Sequence, residues 1–162
     1  MTLTTGAGSL SGCSPSTAAG VTTYTGCAID TANAGDVLTA TTTQGVLLST
    51  TSVAFDVTVG APAQLVFTTQ PAGAIAGSAF ARQPIVTIED AGGNTVTIDT
   101  NTVTMAMGSG PGTLSGCTST TTGGVTDYSG CSINAVGEHV ISATDSSDAL
   151  NNISVQFDVT PS

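Results

Sequence analysis

Leu114–Ile133 reads LSGCTSTTTGGVTDYSGCSI, and Leu10–Ile29 reads LSGCSPSTAAGVTTYTGCAI. The two stretches share the spacing of their cysteines, a central glycine and the apolar positions that follow it. The agreement extends to a closing FDVT, which begins at Phe55 in the first copy and at Phe157 in the second. One pattern therefore occurs twice in a chain of 162 residues.

The composition predicts an all-β protein. Thr is abundant, and the β-branched side chains of Thr, Val and Ile favour strands. Apolar residues make up 40% of the chain and charged residues only 7%, whereas disordered chains combine few apolar residues with many charges. We therefore expect a folded chain that is built from strands.

The charge argues against two classes of partner. The chain has 11 acidic residues and a single basic one, Arg82, and its formal net charge is −10. Such a chain repels phosphate backbones and anionic lipid headgroups, so nucleic acids and membrane surfaces are not expected as partners. No apolar run approaches the roughly 18 residues of a membrane span.

Alternating apolar residues define the strands of the second copy. Leu65 and Phe67 lie near its start, and Val155, Phe157 and Val159 share one face at its end. About seven to nine short strands in about 100 residues are typical of a two-sheet sandwich. We predict that residues 61–162 form one complete domain.

The first copy lacks an opening part. When the copies are aligned on their cysteines, Met1 falls opposite Met105, so the segment Gln64–Thr104 has no counterpart. Residues 1–60 are therefore interpreted as the C-terminal part of the same domain, with its first strands missing. Three explanations remain open: the missing strands lie upstream in a longer tandem array, another chain donates them, or this part folds differently by itself.

The two copies are joined by the segment Val57–Gln64, which reads VTVGAPAQ. The segment is short and contains Gly60 and Pro62. Proline stiffens a linker, whereas a tether of Gly and Ser is flexible. The sequence predicts a semi-rigid connection.

The four cysteines form two equally spaced pairs. If the strands fold back around the midpoints, Gly20 and Gly124, the members of each pair become cross-strand neighbours at the roughly 4.4–6.8 Å Cα separation of a disulfide. We predict two disulfides, Cys13–Cys27 and Cys117–Cys131. Zinc binding and four reduced thiols are the alternatives. Disulfides of this kind persist outside the reducing cytosol.

Several motifs of the second copy resemble one family. They are LVFTTQP from Leu65, PIVTIEDAGGNTV from Pro84, GTLSGC from Gly112, GGVTDYSGCSI from Gly123, GEHVISAT from Gly137 and VQFDVT from Val155. Together they resemble the bacterial Ig-like repeats that occur in tandem in large secreted and surface proteins. The resemblance covers residues 61–162 and most of residues 1–60. It implies immunoglobulin-like β-sandwich repeats that build stalks, adhesins or filaments.

Catalytic groups are scarce in the sequence. His139 is the only histidine, and the aligned residue of the first copy is Asp36. No GxSxG nucleophile elbow occurs, and a Ser or Thr nucleophile needs a base to activate it. We interpret His139 as a surface residue at a strand end, and the sequence predicts no enzyme.

Two turns carry clusters of side-chain oxygens, the ligands that calcium prefers. One contains Glu89, Asp90 and Asn94, and the other contains Asp145 and Asp148. These residues are candidates for calcium binding, although Asp and Asn are also the residues that turns prefer. No other metal or cofactor is predicted.

The sequence favours a structural role. The leading hypothesis is a repeat of an extracellular bacterial surface protein or filament, forming a disulfide-stabilised, semi-rigid stalk and joining chain to chain. Its partners would be neighbouring copies of the same repeat or protein, one of which donates strands to the incomplete domain. The alternative is an adhesin domain that binds carbohydrate or a host protein through loops at the end of the sandwich. Either function places the chain outside the cell or on its surface.

Overall fold

The computed structural model describes residues 1–43 and 45–162, and every regular element in these ranges is a β-strand. The prediction of an all-β protein is confirmed. The chain forms two compact units. The first comprises Met1–Gly60 with Gly92–Asn94, and the second comprises Ala61–Ala91 with Thr95–Ser162.

The described residues of the first unit form eight short strands. They are β1 (Thr2–Thr5), β2 (Leu10–Ser11), β3 (Ser14–Ala18), β4 (Val21–Thr25), β5 (Ala28–Ile29), β6 (Asn33–Thr41), β7 (Ser49–Thr51) and β8 (Phe55–Val57). Strand β6 pairs with β1, β7 and β8, while β2 pairs with β5 and β3 with β4. All of these pairs are antiparallel.

The second unit contains eleven strands. They are β9 (Gln64–Thr69), β10 (Ala74–Ile75), β11 (Ile85–Glu89), β12 (Val103–Ser109), β13 (Leu114–Ser115), β14 (Thr118–Thr122), β15 (Val125–Ser129), β16 (Ser132–Ile133), β17 (Gly137–Asp145), β18 (Leu150–Ile153) and β19 (Phe157–Thr160). One sheet has the order β14-β15-β11-β9, and another has the order β10-β19-β17-β12 with β18 also on β17. Strands β13 and β16 form a separate pair. Only β10 and β19 pair in parallel.

The core of the second unit takes side chains from both large sheets. Phe67 of β9 and Ile88 of β11 belong to the same buried cluster as Ile141 of β17. The buried hydroxyl of Tyr128 on β15 also donates a hydrogen bond of 2.6 Å to the carbonyl of Val103 on β12. Two sheets that share one core are consistent with a β-sandwich.

The strand pairs of the first unit have counterparts in the second. Strands β1–β8 follow one another with the same antiparallel pairings as β12–β19: β1 with β6, β2 with β5, β3 with β4, and β6 with β7 and β8. The corresponding pairs of the second unit are β12 with β17, β13 with β16, β14 with β15, and β17 with β18 and β19. The part of the sequence that occurs twice therefore forms the same strand pairs in both units.

Strands β9, β10 and β11 make pairings that the first unit lacks. In the second unit β11 lies between β15 and β9, and β10 lies beside β19. Among the described residues of the first unit, β4 pairs only with β3 and β8 only with β6. One edge of β4 and one edge of β8 are consequently open in this unit.

Burial differs sharply between the units. The second unit contains a cluster of 14 buried apolar residues. Among the described residues of the first unit, the only fully buried side chain is the carboxylate of Asp36. Since buried apolar surface supplies most of the free energy of folding, the first unit has little stabilisation from a core.

Candidate functional site

Both disulfides join the predicted partners. Cys13–Cys27 and Cys117–Cys131 each have a Cα–Cα distance of 4.2 Å, and the described residues contain no free cysteine. The hairpins β3–β4 and β14–β15 bring the partners together by turning at Gly20 and Gly124. The predicted pairing is confirmed, so the sulfur atoms are not available as zinc thiolates. Two disulfides are typical of an oxidising environment, either extracellular or periplasmic.

The prediction that His139 lies on the surface is wrong. Its side chain is fully buried on β17, where it packs near the ring of Phe157. The two ring nitrogens lie 2.7 Å from the carbonyl oxygen of Gly137 and 2.8 Å from that of Pro111. The loop that contains Pro111 lies against the ring, and since carbonyl oxygens only accept, the ring donates to whichever of the two carbonyls faces its N–H.

Asp36 occupies the matching position on β6. It is fully buried, and one carboxylate oxygen accepts a hydrogen bond of 2.9 Å from the side-chain amide of Asn33. The other oxygen has no hydrogen-bond partner among the described residues. A buried carboxylate with an unsatisfied oxygen lowers stability, so this position adds to the weakness of the first unit.

Three carboxylates converge at one end of the second unit. Asp145 ends β17, Asp148 lies in the turn before β18, and Asp99 lies in the loop before β12. One ligand atom from each lies within 4.8 Å of the others. Of the calcium candidates named from the sequence, the structure thus brings Asp145 and Asp148 together and adds Asp99.

The side-chain amide of Asn101 lies among the three carboxylates. Its side-chain nitrogen lies 2.6 Å from a carboxylate oxygen of Asp148, 3.2 Å from Asp145 and 3.4 Å from Asp99. The Ser147 backbone N–H also donates to Asp145, at 2.8 Å. These hydrogen bonds orient the carboxylates but do not neutralise them, because an amide carries no charge. Calcium binding at this cluster stays a prediction from the sequence.

The other calcium candidates do not form a comparable group. Glu89 accepts a hydrogen bond of 3.1 Å from the side chain of Gln64, and the neighbouring Asp90 is buried. Asn94 belongs to the first unit, where its side-chain oxygen accepts a hydrogen bond from the Ala32 N–H at 2.8 Å. Among the described residues, the cluster at Asp145 is the one group of three acidic side chains with metal-binding spacing.

The crowded charges affect Asp148 most clearly. Partial desolvation, and then repulsion from Asp145 and Asp99, raise the pKa of Asp148 above its ordinary value of 3.8. A carboxyl group whose pKa is raised by folding stabilises the protein fully below the unfolded pKa. That contribution is lost as the pH rises through the raised pKa of the folded state.

Replacing Asp148 by Asn is therefore expected to raise the melting temperature of the second unit at pH 7. The substitution removes one of the clustered charges and keeps an oxygen that accepts the hydrogen bond from Asn101. The difference from the wild type should disappear near pH 3, where the carboxyl group of the wild type is protonated. Melting curves at both pH values measure this effect.

The matched control is Asp127→Asn, which changes the net charge equally at an exposed site on β15. We expect the control to leave the melting temperature nearly unchanged at both pH values. An Asp148→Asn protein that melts at or below the temperature of the control at pH 7 would show that the clustered charges do not repel.

The first unit has an apolar groove of about 350 Å³. Its lining residues come from β2, β5, β6 and β8 and from the disulfide beside β5. They are Leu10, Cys27, Ala28, Ile29, Leu38, Phe55 and Val57. The sequence predicts that residues 1–60 lack their first strands, and the groove is an apolar surface that the described residues of this unit leave uncovered.

No helix in the described ranges has the length and apolarity needed to cross a membrane. Comparison with protein-family models, with curated proteins and with solved structures finds no match to this chain.

Proposed function

We propose that the chain is a structural repeat segment of an extracellular bacterial surface protein or filament, built from Ig-like sandwiches in tandem. The observation that carries the proposal is the shared design of the two units: the same strand pairs, each with one disulfide across the hairpin that corresponds to β3–β4. Repeated small sandwiches with internal crosslinks suit a mechanical role, because a disulfide stabilises a folded unit without any bound ligand.

The proposed role is a disulfide-stabilised, semi-rigid stalk whose neighbouring repeats join one another. Three features support it: an oxidised pair of cysteines in each unit, a short junction with Gly60 and Pro62, and a strongly negative charge that keeps such a chain soluble. The partners are other copies of the repeat, and the location is the cell surface or the extracellular space.

Immunogold electron microscopy of cells that produce the protein tests the proposal. We expect label along extended structures outside the cell. Label confined to the cytoplasm would overturn the structural role. Binding of the purified chain to defined glycans on an array, without label on extended structures, would instead favour the adhesin function.

A further inference from the structure

We propose that the first unit binds a segment with the sequence pattern of Gln64–Thr104, supplied by a further repeat that is joined ahead of Met1. The binding surface consists of the open edges of β4 and β8 and the apolar groove, and we call it the open face. The inference rests on the proposed function, because it identifies the partner that completes the repeat.

In the second unit this segment supplies more than half of the core. Eight of the 14 buried apolar residues belong to it: Leu65, Phe67, Ala74, Phe80, Val86, Ile88, Val96 and Val103. The other six are Tyr128, Cys131, Ile133, Ile141, Ala143 and Val159, each at most 5% exposed. Their counterparts in the first unit are all half-buried or exposed: Tyr24, Cys27, Ile29, Leu38, Ala40 and Val57. The first unit thus contains the remaining half of the same core without its cover.

In the second unit, the stretch Ala74–Gln83 occupies the place that corresponds to the groove of the first unit. In the second unit the ring of Phe80 packs edge-on against Phe157, with ring centroids 5.4 Å apart. The Phe80 N–H donates to the Cys131 carbonyl at 2.9 Å. The counterparts of Phe157 and Cys131 are Phe55 and Cys27, and both line the groove of the first unit. The apolar ring of a phenylalanine that is flanked by small residues, like Phe80, therefore matches the apolar lining of the groove.

The open edge of β4 has an equally specific complement. In the second unit β11 pairs with β15, with Val86 opposite Thr126 and Thr87 opposite Val125. The counterpart of Val125 is Val21, which is 66% exposed. A β11-like strand added to β4 would cover it and satisfy the free backbone groups of the edge.

The turn between β3 and β4 has space for such a segment. A Cβ atom added to Gly124 would lie 2.5 Å from the carbonyl oxygen of Val96, a residue of the covering segment. A Cβ atom added to Gly20 would meet no atom within 4 Å. The two turns share a positive φ, 78° at Gly20 and 74° at Gly124, so the difference lies in the missing neighbour.

A second copy of the chain is a poorer source of this segment than a preceding repeat. Each copy contains two units that need the segment but only one segment, Gln64–Thr104. Donating it would remove its eight core residues from the donor's own second unit, so exchange uncovers as much apolar surface as it covers. A preceding repeat supplies the segment without this loss, joined to Met1 as Thr104 is joined to Met105.

The test is a fusion in which an additional copy of Gln64–Thr104 is joined directly ahead of Met1 of the full chain. We expect backbone amides of β4, β5 and β8 to exchange with deuterium more slowly than in the unfused chain, by a factor of about ten or more. We also expect a nuclear Overhauser contact between the added Phe80 ring and Phe55. The second unit serves as an internal reference whose exchange should not change.

The matched control carries Phe80→Asp and Ile88→Asp in the added copy only. Unchanged exchange in the fusion, or equal protection in the control, would overturn the inference. Protection in the unfused chain that grows with concentration as dimers form would show that a second copy is the source, and would also overturn it. If the fusion is insoluble, a peptide spanning Pro71–Pro84 added to the full chain should shift the NMR signals of Phe55, and no shift would count against the inference.

This experiment is independent of the location of the protein in the cell. Protection in the fusion together with a cytoplasmic immunogold label would support the open face and overturn the proposed function. An extracellular label on extended structures, together with no slowing of amide exchange in the fusion, would support the proposed function and overturn the open face.

Discussion

Replacing Ile141 by Ala is expected to lower the free energy of unfolding of the second unit by about 2–5 kcal/mol. Ile141 lies on β17 within the core and is 0% exposed. The substitution removes buried methyl groups and leaves a cavity that neighbouring side chains fill only in part. Native-state hydrogen exchange in increasing urea measures the loss for this unit separately.

The matched substitution is Leu38→Ala in the first unit. Leu38 is the counterpart of Ile141 on β6, but it lines the apolar groove and is only half-buried. We expect a loss of about 1 kcal/mol or less, because little apolar surface is removed from water there. Equal losses at the two positions would contradict the difference in burial between the units.

Removing the disulfide of the second unit is expected to lower the melting temperature of that unit strongly. The bond Cys117–Cys131 closes a loop with a sequence separation of 14, and opening a loop of this length costs about 3 kcal/mol on the chain-entropy model. Cys131 is also fully buried, so its loss weakens the core. For the double variant Cys117→Ala with Cys131→Ala, calorimetry should show the second unit melting about 12–24 °C lower.

The corresponding variant of the first unit, Cys13→Ala with Cys27→Ala, separates the two contributions. Its loop has the same sequence separation of 14, but Cys27 is exposed and contributes no buried core. We expect the amides of β3 to exchange faster, because its pairing with β4 loses the crosslink, while the melting temperature of the second unit stays unchanged. A second unit that melts as high without its own disulfide as with it would show that the crosslink is not important for stability.

Local sequence features predicted much of this structure. The disulfide pairing followed from cysteines placed symmetrically about Gly20 and Gly124, since a hairpin that turns at its midpoint leaves few other partners. The strands followed from alternation and from β-branched composition. Both are short-range patterns. They can be recognised in neighbouring residues, without knowing which distant segments pack against them.

Long-range contacts were the part that the sequence did not predict. Asp99 and Asn101 join Asp145 and Asp148 only because β12 pairs with β17 along its length. Burial of His139 depends on the loop that contains Pro111, which supplies a carbonyl from a distant part of the chain. The two-residue strand β10 is too short for any alternation to indicate it. Each of these features depends on contacts between segments far apart in the sequence, and these contacts form only once the sheets have assembled.

The most direct test of the central claim is residue-resolved hydrogen exchange on the unmodified chain. The claim is that the first unit contains half of a core whose other half lies in a segment like Gln64–Thr104. We expect fast exchange at β4 and β8 and slow exchange at their counterparts β15 and β19. The opening free energies of the slowest amides in the second unit should equal its global free energy of unfolding. Equal, strong protection of both sets of strands would mean that the first unit completes its own core, and would contradict the account.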